Sequence, residues 1–152
     1  MAIVRAATEN DIPRILELYR QLAITTAPAE LDQKPSLLED YRRVFAQISA
    51  VPGLELLVAE EEGEVAGSLV LFIAPNLSHG GLPWALVENV IVDQKYRRQG
   101  IGKLLMDYAI ARAKEAGCYR IGLSSDKRRK EAHRFYRSLG FEASSHGFRL
   151  YF

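Results

Sequence analysis

A mixed α/β fold, with an α+β sheet of antiparallel and parallel strands in a single domain spanning residues 1–152, follows from three features of the sequence. Two apolar runs, Leu54–Ala59 and Val65–Ala74, flank Glu61-Glu62-Gly63-Glu64, the signature of an antiparallel hairpin. A third run, Trp84 to Val92, leads through a glycine-rich loop into an amphipathic helix and then a further strand, which is a parallel crossover unit. Apolar residues at helical spacing recur between the strands.

Taken in order, Ile3-Val4-Arg5-Ala6 reads as a first strand, and Thr8-Glu9-Asn10-Asp11 as N-cap chemistry. The helix behind it carries Ile12, Ile15, Leu16, Tyr19, Leu22 and Ala23 on one face, with Pro13 in its first turn. Residues 25–34 read as a loop. Ser36 to Ile48 reads as a second helix with Leu37, Leu38, Tyr41, Val44, Phe45 and Ile48 as its stripe, broken by Pro52-Gly53. The hairpin follows, then the loop Pro75–Pro83 and the strand Trp84–Val92. The next helix runs to about Ala116 and closes on Gly117. Tyr119–Ser124 reads as a strand and Glu131–Leu139 as the last helix. Phe141–Ala143 and Phe148–Tyr151 read as terminal strands around a His146-Gly147 turn. The expected order is β-α-α-β-β-β-α-β-α-β-β.

Composition narrows the function classes. The chain is 48% hydrophobic and 26% charged, and 20 Lys+Arg against 19 Asp+Glu leave a net charge of +1, so global attraction to nucleic acid or membrane is not expected. One cysteine, Cys118, excludes an internal disulfide and suits a reducing, cytoplasmic setting. No apolar run is long enough to span a bilayer, no signal peptide is expected, and no metal-ligand set is expected.

The most informative stretch is Arg97-Arg98-Gln99-Gly100-Ile101-Gly102-Lys103, at the join of strand and helix. Glycines let the backbone turn tightly and leave N–H groups uncovered at a helix N-terminus, where the dipole favours an anion. The dinucleotide fingerprint needs a further Gly at the position of Leu105, and the P-loop needs Ser or Thr at the position of Leu104; both fail. A pyrophosphate cradle remains, beside the plainer reading of a strand-to-helix turn. Near the end, Ala132-His133-Arg134-Phe135-Tyr136-Arg137-Ser138-Leu139-Gly140-Phe141 supplies a second pattern, Ala-x-x-x-Tyr-x-x-x-Gly-Phe.

These two patterns, Arg-x-x-Gly-x-Gly and the terminal one, resemble the signatures of the GCN5-related N-acetyltransferase (GNAT) superfamily. The resemblance implies acetyl-CoA as cofactor and transfer of acetyl to an amine. It implies that the strand before the glycine loop and the next strand splay apart, with Val90, Ile91 and Val92 along the pantetheine arm. Arg97, Arg98, Gln99, Gly100, Ile101, Gly102 and Lys103 would hold the pyrophosphate. One departure stands out: the position three residues before Ala132, often Asn in the superfamily, is Arg129, which could reach a phosphate instead.

The chemistry needs a neutral amine. An amine of pKa near 10.4 costs about 4.6 kcal/mol to deprotonate at pH 7, so a base is required. Glu88 is the candidate, placed by period two on one face with Val90, whose N–H is the expected donor to the thioester oxygen. His79 and His133 are weaker rivals. Tyr136 matches the superfamily's tyrosine acid, which would protonate the leaving thiolate. The acceptor site is expected to draw on Tyr19, Trp84 and Arg149, with Tyr41 and Phe148 nearby. Local likeness of Glu88–Val92 with Gly-Ile-Gly-Lys-Leu-Leu to glucosamine-phosphate N-acetyltransferases, and of Arg129–Tyr136 to aminoalkylphosphonate N-acetyltransferases, suggests a phosphorylated or phosphonate amine. A protein Lys or N-terminal acetyltransferase and a non-catalytic acyl-CoA sensor are the alternatives. A homodimer through the terminal strands is a further expectation.

Overall fold

The computed structural model describes residues 1–22 and 36–152. A five-stranded sheet in the order β1-β2-β3-β4-β5 organises them. Its strands are β1 (Ile3–Ala6), β2 (Leu54–Glu61), β3 (Glu64–Ala74), β4 (Trp84–Val92) and β5 (Ile121–Leu123). The described helices are α1 (Ile12–Tyr19), α2 (Leu38–Ala50), α3 (Ile101–Glu115) and α4 (Lys130–Ser138). The loop expected over residues 25–34 lies outside the described residues. The first four strands are antiparallel and β5 joins β4 in parallel, the mixed sheet that the hairpin and crossover signals require.

Strand alternation sorts the core onto two faces. Leu57, Ala59, Leu69, Leu71, Ala85 and Val87 meet Leu105, Met106, Ala109 and Ala113 of α3 and Tyr136 of α4. On the other face Val58, Val65 and Ile91 meet Ile15 and Leu18 of α1. Leu57 and Val58 are sequence neighbours on opposite faces, as a period of two demands. Gly67 in β3 lets α3 seat closely, since a Cβ there would stand 2.9 Å from the Ile91 carbonyl oxygen and 3.1 Å from Leu105 Cδ1. The β2–β3 turn is Glu62-Gly63, both at positive φ, which matches the twist of an antiparallel pair.

The structure differs from the expected order at its end. Among the described residues the sheet stops at β5, and Phe141–Ala143 and Phe148–Tyr151 form no strands. β5 is only three residues long, too short to template a further ladder, and Phe148 is 93% exposed, so no second layer covers the hairpin's apolar face. The segment passes beside β5 instead, with a Cβ at Gly147 falling 3.7 Å from Ser124 Oγ. At the other end α1 stops at Tyr19, shorter than the apolar stripe to Ala23 suggests.

A buried carboxylate ties α1 to the end of β4. Asp93, 7% exposed, accepts from Arg14 Nη2 at 2.6 Å and from the Lys95 N–H at 2.7 Å. Arg14 Nε also donates to the Val65 carbonyl at 3.0 Å. Burial pushes the Asp93 carboxyl up, but the Lys95 N–H, Arg14 and Gln21 more than offset this and hold it below the usual carboxylate range. The stability it contributes is therefore present at neutral pH and is lost as pH falls through the depressed value. Asp93→Asn is expected to cost about 2 kcal/mol at pH 7, the scale of hydrogen bonds to a charged group. Urea unfolding of both forms at pH 7 and again well below about pH 3.9 should show that difference shrinking in acid.

Candidate active site

β4 and β5 pair only over Ala85–Val87 and Ile121–Leu123. Beyond that point they part, and a cleft of about 260 Å³ opens between them. The cause lies in β4. Its register with β3 runs Val70 to Glu88 and Ser68 to Ile91, so Leu69 alone faces both Asn89 and Val90. This is a β-bulge, and Asn89 sits in it at φ +53. The ladder with β3 skips Asn89 and Val90, the ladder with β5 has already ended at Val87, and both residues line the cleft.

The bulge corrects one step of the sequence reading. Simple alternation does not carry from Glu88 to Val90; an extra residue intervenes, and Glu88 is exposed at the cleft lip rather than enclosed among apolar neighbours. The structure still brings Glu88 and Val90 to one cavity, with Asn89 between them. The opposite wall is Leu123, Ser124, Ser125 and Asp126. Arg129 and Tyr136 close the α4 side, and Leu22, Arg149 and Tyr151 complete the rim.

Tyr136 is 8% exposed, packed against Phe135 at 5.3 Å and Phe141 at 6.1 Å between ring centroids. Burial pushes its phenol above the usual value, with Arg129 pulling the other way. Lys127, Arg128, Arg129 and Lys130 form a run of four cations whose side chains go different ways. Arg128 turns back to Asp126, with Nε to Oδ1 at 2.9 Å and Nη2 to Oδ2 at 3.0 Å, and holds that carboxyl well below the usual range. Arg129 caps α4 and lines the cleft, whereas Lys127 and Lys130 are exposed. Ser125 Oγ is buried in the cleft wall without a hydrogen-bond partner among the described residues.

The glycine loop follows β4 directly. The Asp93 carboxylate caps the short turn Gln94–Tyr96, and Tyr96 OH donates to Glu64 Oε2 at 2.8 Å, anchoring the loop's root. Arg98 at φ +61 and Gly100 at φ +82 then turn the chain into α3, whose first helical bond is Leu104 N–H to the Gly100 carbonyl at 2.9 Å. The N–H groups of Ile101, Gly102 and Lys103 thus lack intrahelical partners. Gly102 faces α4, where an added Cβ would lie 3.3 Å from Phe135 Cζ. Arg97, Arg98, Gln99 and Lys103 are exposed around this N-terminus. Among the described residues Arg98 meets Glu131 at 3.9 Å, and Arg97 Nε donates to the Val92 carbonyl at 3.3 Å.

Other expected site residues lie elsewhere. Trp84 begins β4, at the end away from the bulge, edge-on to Phe72 at 5.9 Å and beneath the Arg120 guanidinium. No residue of 75–83 lines the cleft. Tyr19 is half-buried against the cluster of Ile15, Leu18 and Val65, outside the cleft lining, and burial pushes its phenol up with the Asn89 side chain pulling the other way. Tyr41 is on α2, outside the cleft, and Phe148 points to solvent. His79 stacks on Tyr119 at 4.0 Å, and His133 Nε2 meets the Asp126 carbonyl at 2.8 Å, so each ring has a local structural partner. Cys118 is half-buried, and burial pushes its thiol up, which disfavours a nucleophile. Among the described residues there is no cluster of potential metal ligands and no helix long and apolar enough to cross a membrane. Sequence reasoning missed Asn89, Ser125 and Asp126; only the polar Ser124-Ser125-Asp126 run after an apolar strand hinted at the latter two.

The model of the acetyltransferase (GNAT) family matches residues 13–141. The chain is 34% identical to the glucosamine 6-phosphate N-acetyltransferase of Trypanosoma brucei brucei over 97% of this chain and 93% of that protein. It is 30% identical to the aminoalkylphosphonate N-acetyltransferase of Salmonella typhimurium over 93% and 85%, respectively. Among solved structures, a transcriptional regulator from Bacillus halodurans C-125 superposes with a TM-score of 0.89 at 34% identity, covering 100% of both chains. If the loop is an anion cradle, Gly102→Val should weaken acetyl-CoA binding by roughly tenfold or more, because a branched side chain crowds Phe135 and covers N–H groups. Calorimetric titration checks this, and unchanged affinity would remove the loop from binding.

Proposed function

The chain belongs to the acetyltransferase (GNAT) family, and from that membership we propose that it moves acetyl from acetyl-CoA to the primary amine of a small, phosphorylated or phosphonate molecule by direct attack. The observation that carries this reading is the convergence of Glu88, Val90, Arg129, Tyr136 and Arg149 on one cleft, at the point where β4 and β5 part.

The residues present fit acetyl-CoA. Beyond Val87 the edge of β4 that faces the cleft has no ladder to β5 and is open to hydrogen bonds, and the loop Arg97–Lys103 offers free N–H groups among exposed cations. When bound, acetyl-CoA supplies an activated acetyl thioester. The Val90 N–H donates where negative charge develops, an interaction typically worth about 3 kcal/mol. Glu88, open to water at the lip, takes a proton from the incoming ammonium, directly or through a water. Tyr136 would give its phenolic proton to the departing sulfur and regain one from the second proton that the nitrogen sheds as the amide forms; burial raises its pKa and keeps the phenol protonated at neutral pH. Arg149 and Arg129 supply positive charge to the acceptor's anionic group, and the unpartnered Ser125 hydroxyl offers it a further bond. The names of the two curated relatives, whose substrates carry phosphate or phosphonate, support the same acceptor class.

We further propose a homodimer in a reducing compartment. Arg149 and Tyr151 face the cleft, whereas Phe148, Leu150 and Phe152 alternate outward and are exposed beside the sheet edge. A second copy is the partner this alternation suits, since strand pairing would cover both the edge and the apolar face. Sedimentation should give a dimer that Phe148→Asp with Leu150→Asp converts to monomer; a monomeric parent would end this proposal.

Thiol release from acetyl-CoA, measured against glucosamine 6-phosphate and 2-aminoethylphosphonate, tests the reaction. Turnover on either supports the acceptor class, and turnover only on unphosphorylated amines would overturn it. Tyr136→Phe should lower kcat roughly 10²-fold with acetyl-CoA affinity retained. Because burial raises the phenol's pKa, its contribution should persist through mildly alkaline pH and fade only above about pH 10. Glu88→Gln should lower kcat most at low pH, where the amine is hardest to deprotonate; a pH-independent effect would assign the proton to another acceptor.

A further inference from the structure

We propose that Tyr96, through its hydrogen bond to Glu64, is a positioning residue for the cofactor's diphosphate. It fixes the root of the glycine loop, and so the direction of the N–H groups at the start of α3, without touching the cofactor. The inference rests on the acetyl-CoA reading above.

The loop is short and both its ends are buried. Tyr96 is 7% exposed and Ile101 is 3% exposed, and both belong to the core cluster that holds Leu105 and Met106 of α3. The four residues between them, Arg97 to Gly100, are exposed. Within this span Arg98 stands at φ +61 and Gly100 at φ +82. Glycine adopts that region freely, but a residue with a Cβ stays there only where its surroundings hold it. A four-residue link between two fixed points imposes such a conformation, and slack at either end lets it relax.

More than burial of the ring fixes the root. The Tyr96 N–H donates to the Asp93 carbonyl at 2.9 Å, and the phenol donates to Glu64 Oε2 at 2.8 Å, so the residue is held at its backbone and at its tip. Glu64 also meets Lys95 Nζ on the same oxygen at 3.3 Å and Arg14 Nη2 on Oε1 at 3.1 Å. That Arg14 nitrogen lies 2.6 Å from Asp93 Oδ2, which ties the two carboxylates together. Gln99 Nε2 donates to the Lys95 carbonyl at 3.3 Å and closes the loop back on its root. The phenol pulls the Glu64 carboxyl below its usual range, and Glu64 pushes the phenol up, so the two meet as carboxylate and phenol at neutral pH. Packing alone would be served as well by Phe; what the hydroxyl adds is direction.

The diphosphate reports on its own cradle through ³¹P NMR, so no acceptor is needed. The test uses the full chain with bound acetyl-CoA carrying ¹³C at its carbonyl, with affinity by calorimetry and folding by thermal unfolding on the same samples. The parent should move the diphosphate resonances from their free positions. Tyr96→Phe, which keeps the ring, should weaken acetyl-CoA binding about fivefold, the scale of one hydrogen bond. In its complex the diphosphate resonances should return part of the way while the acetyl carbonyl resonance stays where the parent puts it. Glu64→Ala should do at least as much, since it also takes a partner from Lys95 and Arg14, and the double variant should be no worse than Glu64→Ala alone. If Tyr96→Phe does not fold, Glu64→Ala gives the same reading from a side chain that is 42% exposed. Unchanged affinity and resonances in either variant, or effects that add in the double variant, overturn the inference. So does a carbonyl resonance that moves together with the diphosphate, which marks general loosening. Binding that leaves the parent's diphosphate resonances at their free positions overturns the loop assignment and the role of Tyr96 with it. Failure of the parent to bind acetyl-CoA at all refutes the cofactor reading instead, and calorimetry reports that separately.

Discussion

One extra residue in β4 is the constraint on which the site depends. Without Asn89, β4 would continue its ladder with β3, and nothing local would turn it away from β5. With it, pairing to β5 ends after Val87 and the cleft begins one residue later. The cost of a non-glycine residue at φ +53 is of order 1 kcal/mol. That is small beside the burial of Leu69, Leu71 and Val87, each essentially inaccessible, which holds the two strands together on either side of the defect. The fold can thus carry a local irregularity because the packing around it is over-determined.

Charge is arranged in two tiers. The buried tier is structural: Asp93 with Arg14, and Asp11 with Arg5 at 2.7 Å, each carboxylate also accepting a backbone N–H. Removing either partner would leave an uncompensated group. The exposed tier around the α3 N-terminus is different. Arg98 is held by Glu131 only at 3.9 Å with both side chains open to water, an interaction worth little to folding. Arg98 can therefore turn toward an anion at low energetic cost. A net charge of +1 is therefore compatible with a strongly cationic local site.

Much of this was legible because it is local. The Glu62-Gly63 turn, the helix after Gly100, the full extent of Trp84–Val92 and the packing face of α3 each follow from period and turn chemistry. What was not legible depends on tertiary partners. Glu88-Asn89-Val90 reads as ordinary alternation, and only the offset against β3 reveals the bulge. Trp84 is on the right strand, but at ~3.3 Å per residue its end of β4 lies well away from Val90, and the sequence carries no sign of which end opens. Phe148 to Tyr151 alternates as a strand should, yet alternation without a neighbour to pair with makes no sheet.

The same geometry separates the two proposed proton carriers, and the separation follows from what each must do. A base that strips a proton from an amine arriving from solvent must afterwards lose that proton to water, so an exposed position such as that of Glu88 serves it. An acid that delivers a proton to a departing sulfur must hold that proton until the end and be shielded from competing exchange. Tyr136 is enclosed by Phe135 and Phe141, and the burial that raises its pKa also keeps it protonated. The bulge sets these environments a short distance apart, on opposite walls of one cleft: an open lip on β4 and an aromatic pocket on α4. An arrangement that merely bound an acyl thioester would have no need to pair an exposed carboxylate with a buried phenol. The contrast between the two walls is therefore a stronger argument for chemistry than the presence of either residue alone.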